Sequence, residues 1–119
     1  MNRRPFLYIC GPFATATQAE IDARDSALRS AVAKGYAPLF LPYCTDRFLN
    51  DKNTLEREIG LEMCRSMVAH ADVFCLVGGR ITEGMRIEID EYLQRGEIIP
   101  IDKLPQASTW AKDFNRGTQ

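Results

Sequence analysis

The chain has 119 residues, 45% of them hydrophobic and 26% charged, with a net charge of -1. That length suits one domain with an ordinary buried core, and the near-neutral charge balance gives no electrostatic pull toward a nucleic acid polymer. His70 is the single histidine, which removes the material for a Ser-His-Asp or Cys-His arrangement and for His-x-x-x-His metal ligation, so any catalysis must rest on carboxylates, hydroxyls and backbone.

Phe6-Leu-Tyr-Ile-Cys10 is an apolar, aromatic-rich run ended by Gly11-Pro12, which predicts a buried strand entering a turn. It is too short for a signal-peptide core or a membrane span, so a cytoplasmic location with no membrane partner is expected. From Thr17 to Lys34, Ile21, Leu28, Ala31 and Val32 recur at helical spacing, and Gly35 is a natural stop. Tyr36 to Leu41 reads as a second strand. Pro42 through Lys52 is polar and aperiodic, a candidate lid over a ligand site. Asn53 or Thr54 can cap a helix running to about His70, with Leu55, Ile59, Met63 and Met67 on one stripe. Asp72 to Val77 is the clearest central strand, closed by Gly78-Gly79, and Thr82 starts a helix that ends at Gly96. Glu97 to Ile101 supplies a last strand. The polar tail from Lys103 to Gln119, with its single Trp110, is either frayed or docked on a neighbouring subunit. Cys10, Cys44, Cys64 and Cys75 form no Cys-x-x-Cys pair and read mostly as reduced core thiols.

Strands alternating with helices imply right-handed crossovers and a mostly parallel sheet of four to five strands covered on both faces. The expected fold is a single-domain α/β, Rossmann-like or flavodoxin-like three-layer sandwich over residues 1 to 102, with 103 to 119 as a tail. Ligands of such sheets bind beyond the carboxyl ends of the strands. Here those ends are Gly11 to Thr15, the segment after Leu41, and Gly78 to Gly84.

The Gly78-to-Gly84 segment joins a strand to a helix start, where backbone N–H groups, the helix dipole and the Thr82 hydroxyl favour an anion. It matches neither G-x-G-x-x-G nor a Walker loop, and a plain tight turn explains it equally well. Glu88 lies one turn past Gly84, at the border of the stripe Met85, Ile89, Tyr92 and Leu93, where a carboxylate can face a pocket or simply solvent. Glu58 and Glu62 form a similar row on the preceding helix, with Arg57 and Arg65 as surface partners.

Leu7-Tyr-Ile-Cys-Gly11, Ala71-Asp72-Val73 and Thr82-x-Gly84-x-x-x-Glu88 ending in Gly96 are the motifs on which the chain, over roughly residues 5 to 102, resembles the nucleoside 2-deoxyribosyltransferase superfamily, including its 2'-deoxynucleoside 5'-phosphate N-hydrolases. The resemblance implies that Glu88 attacks the anomeric carbon of a sugar, that Tyr8 orients it, and that Gly11, Pro12 and Phe13 line sugar and base. It implies that Thr82, with Gly84, meets a 5'-phosphate where nucleoside transferases carry an aspartate. It further implies no metal or cofactor and a homodimer or higher homo-oligomer. Two positions depart from the pattern. Cys64 stands where an aspartate near the leaving base is usual, so that Glu62 or Glu58 would have to substitute, and Arg86 replaces a glycine.

The leading expectation is an N-glycosidase acting on a nucleotide or nucleoside, with a 5'-monophosphate favoured by Thr82. A deoxyribosyltransferase, a nucleotide-sensing module without turnover, and a small domain whose function is its dimer surface are the other readings.

Overall fold

The computed structural model describes residues 3–110. Four strands, β1 (Phe6–Cys10), β2 (Ala37–Leu39), β3 (Val73–Leu76) and β4 (Ile98–Pro100), form one sheet in the order β2-β1-β3-β4. Every pairing is parallel, with Leu7 opposite Pro38 and Val73, and Phe74 opposite Ile98. The helices are α1 (Gln18–Ala33), α2 (Pro42–Thr45), α3 (Thr54–Val68) and α4 (Glu83–Leu93). This is the Rossmann-like, flavodoxin-like α/β arrangement. Among the described residues no helix is long and apolar enough to cross a membrane.

Strand side chains alternate between faces, and the two cores follow that parity. Leu7, Ile9, Val73, Cys75 and Val77 pack with Ala27 and Ala31 of α1 on one face. Tyr8, Cys10 and Phe74 pack with Val68 of α3 and with Met85, Ile89 and Tyr92 of α4 on the other. The chain leaves β1 for β2 on one side and later enters β3 on the other, so the sheet's order reverses between β1 and β3. A crevice opens at their carboxyl ends.

Local chemistry explains the element ends. Thr17 caps α1 in a reciprocal capping box with Glu20, and Gly35, at φ +98, ends it in the left-handed conformation that glycine adopts without strain. Asn53 caps α3 by accepting from the Glu56 amide at 3.1 Å.

The structure corrects several expectations. The second strand stops at Leu39, and part of the aperiodic segment after it is the helical turn α2, with Pro42 in its first turn, where a proline's missing N–H is harmless. Val32 is exposed, and α1 instead buries Arg24, whose guanidinium lies over the rings of Phe13, Phe40 and Tyr43. Leu55 and Ile59 are exposed, so the first half of the expected stripe on α3 does not pack, whereas Met63 and Met67 pack against the core of Tyr8, Val68 and Phe74. Cys44 is exposed, while Cys10 and Cys75 are buried and all four cysteines are free.

Residues 103 to 110 fold back onto their own domain. Leu104 and Ala107 join the α1-side core, the Ala107 amide donates to the Lys34 carbonyl at 2.7 Å, and the Trp110 Nε1 donates to the Tyr36 hydroxyl at 2.7 Å. The remainder of the expected tail, 111 to 119, lies outside the described residues.

Gly96 packs against the Tyr92 ring, and a Cβ there would stand 2.6 Å from Tyr92 Cε2. The ring cannot easily yield, because it stacks on Phe74 at 5.0 Å and its hydroxyl donates to the Asp72 carbonyl. Gly96→Ala is expected to cost about 1–3 kcal/mol, the usual range for forced overpacking, measurable by urea denaturation.

Candidate functional site

At the β1/β3 crevice lies a cavity of about 320 Å³, within the range of small-molecule sites. Gly11, Phe13, Ala14 and Thr15, from the loop after β1, form one wall. Thr82, Glu83, Gly84, Met85 and Glu88 enter from the start of α4. Arg57, Gly60, Leu61 and Cys64 enter from α3, and Pro42, Thr45, Asp46 and Asp51 from the segment between β2 and α3. At roughly 100° per residue, positions 57, 60, 61 and 64 share one side of α3.

Two arginines brace the loops. Arg24 donates from Nη1 to the Pro12 carbonyl and from Nε to the Tyr43 hydroxyl, both at 2.7 Å, joining the β1 loop to α2 beneath Phe13. Arg80 grips Glu20 with two bonds, at 2.8 and 3.0 Å, and donates to the Thr15 carbonyl and hydroxyl. That pairing ties the loop after β3 to the loop after β1 and holds the Glu20 carboxyl down at about 2. Gly78, at φ +94, lets the chain turn against the Pro12 ring.

Glu88 is 9% exposed and lies on the α4 face that also buries Met85, Ile89 and Tyr92. Burial raises its carboxyl pKa from 4.5 to about 7, and the Tyr8 hydroxyl offsets part of that rise. Tyr8 is fully buried and stacked on Phe74 at 5.5 Å with the rings 9° from parallel. Its hydroxyl faces Glu88 and Cys64 closely enough to couple to both, yet no group among the described residues completes a hydrogen bond to it. An unsatisfied buried hydroxyl calls for an explanation, and a role toward a ligand or reacting group is one. Burial, and then the Glu88 charge, push the Cys64 thiol up to about 11, so it keeps its proton at neutral pH.

Of the residues expected from sequence, Glu88, Gly11, Phe13, Thr82 and Gly84 line one cavity, with Tyr8 behind Glu88. Pro12 is buried behind the wall and does not line it. Glu62 and Glu58 are exposed and outside the lining, because they sit about 140° and 100° around α3 from Arg57. Arg86 is exposed, and no ion pair joins it to Glu88 among the described residues. Thr82 Oγ1 accepts from the Met85 amide at 3.2 Å, capping α4, which leaves the hydroxyl proton available to a ligand. Asp46, Asp51 and Arg57 were not singled out as site residues. Arg57 was legible through its seven-residue spacing from Cys64, two helical turns on the same face.

A carboxyl whose pKa is raised in the folded state stabilises the fold fully below its unfolded value and loses that contribution as pH rises through its folded one. For Glu88 the window runs from 4.5 to about 7. At about 1.36 kcal/mol per pH unit, the loss between pH 4 and 8 is about 3 kcal/mol. Glu88→Gln should therefore gain about that much stability over the native chain between these pH values in paired thermal melts. Tyr8→Phe, which removes the hydroxyl that offsets part of the rise, should extend the loss of stability to higher pH in the same measurement.

No curated protein and no solved structure matches the chain. Residues 5–102 match the model of a domain family of unknown function, DUF7768, and the chain belongs to that family.

Proposed function

We propose that the protein is an N-glycosidase that cleaves the base–sugar bond of a nucleotide or nucleoside, with Glu88 as nucleophile, as its resemblance to the nucleoside 2-deoxyribosyltransferase superfamily implies. One observation carries the reading. A carboxyl buried at the wall of a ligand-sized cavity has beside it a tyrosine hydroxyl without a completed hydrogen bond among the described residues and a protonated thiol. Such a group is poorly placed for stability and well placed for chemistry.

In the proposed reaction a carboxylate oxygen of Glu88 bonds to the anomeric carbon as the carbon–nitrogen bond breaks, its electron pair leaving on the base. The base takes up a proton. Water then attacks the glycosyl ester, giving up a proton that replaces the one passed to the base, restoring the carboxylate and releasing the sugar, the two-step course of retaining glycosidases. Tyr8 holds Glu88 in line. With Glu58 and Glu62 turned away, Asp46, Asp51 and Glu83 are the remaining lining carboxyls able to pass a proton to the leaving base. Phe13 offers a ring for the base to stack on. No step needs a metal or cofactor, and the free thiols suit a cytoplasmic setting.

A second reading has its own support. At neutral pH Glu88 is about half protonated, and a carboxylic acid donates a hydrogen bond to a bound ligand more readily than it attacks one. A nucleotide-sensing module would use the pocket in that way.

Incubating the protein with nucleoside 5'-monophosphates and free nucleosides, and following released base by chromatography, tests both. Release that Glu88→Ala abolishes is the expected result, and transfer of the sugar to an added second base would identify a transferase. With a free nucleoside, which carries no phosphate to titrate, release should rise with pH through about 7 as Glu88 ionises. Nucleotide binding without release from any substrate selects the sensing module.

A further inference from the structure

Three arginines lie at or beside the cavity, and two of them are committed. Arg24 is spent on the Pro12 carbonyl, the Tyr43 hydroxyl and three aromatic rings. Arg80 is spent on Glu20 and Thr15. Arg57 is the one cation in the described lining, and among the described residues it forms neither an ion pair nor a side-chain hydrogen bond. Its neighbour Arg65, eight positions on, instead reaches Glu91 of α4 at 3.7 Å.

Charge makes the position consequential. Asp46, Asp51, Glu83 and Glu88 share the lining, so a phosphate entering the cavity meets mostly like charge. The start of α4 and the Thr82 hydroxyl favour an anion, but partial charges and one hydroxyl do not balance a dianion among carboxylates. A guanidinium does, and its planar fork can meet two phosphate oxygens at once. Arg57 stands near the start of α3, on the same side as Cys64, and therefore faces the cavity that Glu88 faces.

We propose that Arg57 is the specificity-determining residue that receives the phosphate of a nucleoside 5'-monophosphate, selecting nucleotides over nucleosides. The inference rests on the reading of the cavity as a nucleoside site.

The test is calorimetric titration of a nucleoside 5'-monophosphate, its parent nucleoside and inorganic phosphate into the full chain and its Arg57→Gln and Arg57→Lys variants. All three carry Glu88→Gln so that nothing turns over. Arg57→Gln is expected to weaken the monophosphate by roughly ten- to hundredfold, the usual size of a lost charge-assisted contact, to lower its preference over the nucleoside accordingly, and to be partly rescued by lysine. Arg57 is exposed, so the variants should melt with their parent. A parallel fall for monophosphate and nucleoside, or no preference for the monophosphate before substitution, overturns the inference. If neither nucleoside nor monophosphate binds, the nucleoside reading itself fails. Inorganic phosphate then decides Arg57: binding that Arg57→Gln removes sustains an anion-receiving residue, and no binding overturns it as well.

Discussion

The carboxyl of Glu88 is set into the apolar layer between the sheet and α4, and the character of the site follows from that burial. Met85, Ile89 and Tyr92 hold the same face of α4 against the sheet, and an aliphatic residue at 88 would continue it. On the side away from the cavity Tyr8, Phe74 and Tyr92 form a stacked series of rings that offers the carboxylate little polarity. The ionised form therefore costs the fold stability, and the Tyr8 hydroxyl offsets only part of the cost. A ligand that places partial positive charge against the carboxylate would offset the rest, so binding and folding draw on the same group.

Beside α3 and α4 the remaining walls are loops, and their rigidity comes from side chains. Arg24 is buried because its charge is met by a carbonyl and a hydroxyl while its flat faces meet rings, so burial costs it little. It ties Phe13, which lines the cavity, to α2. Arg80 does the equivalent at the surface between Thr15 and the loop after β3. The segment from Asp46 to Lys52 is held differently, by short-range bonds such as Leu49 N to the Thr45 carbonyl and Lys52 N to Asn50 Oδ1, and it leaves Phe48 60% exposed. Two walls are thus braced across the fold, and the third is braced mainly within itself.

The turn after β1 at Gly11-Pro12, the stop at Gly35 and the cap at Thr82 were legible because each depends on local geometry that few residue types satisfy. Glu88 was legible as a border residue, but not as a buried one, since sequence spacing does not say how far the neighbouring helix leans over it. The face of α3 was misread for a related reason. Met63 and Met67 pack as their spacing implies, but Leu55 and Ile59, a turn or more earlier on the same stripe, lie beyond the core, and the side toward the cavity is Arg57, Gly60, Leu61 and Cys64. Arg24 defeated the reading of α1 because an arginine counts as surface until a hydroxyl, a carbonyl and three rings converge on it from segments distant in sequence. Those convergences are tertiary, and no window along the chain contains them.

The lining is of two kinds, and the combination narrows what can occupy it. Phe13, Leu61, Met85 and Pro42 offer apolar surface that rewards a flat, weakly hydrated body. Asp46, Asp51, Arg57, Thr82 and Glu83 offer charge and hydrogen bonds that a purely apolar ligand would leave unsatisfied on entering, at a cost that could outweigh its contact with the rings. A ligand that is charged throughout would desolvate without meeting partners on the apolar surface. The proposed nucleotide or nucleoside, with an aromatic part and a polar, hydroxylated or anionic part, offers partners to both kinds of lining. On the proposed N-glycosidase reading, the carboxyl of Glu88, which lines the same cavity, acts at the junction where the two parts are joined.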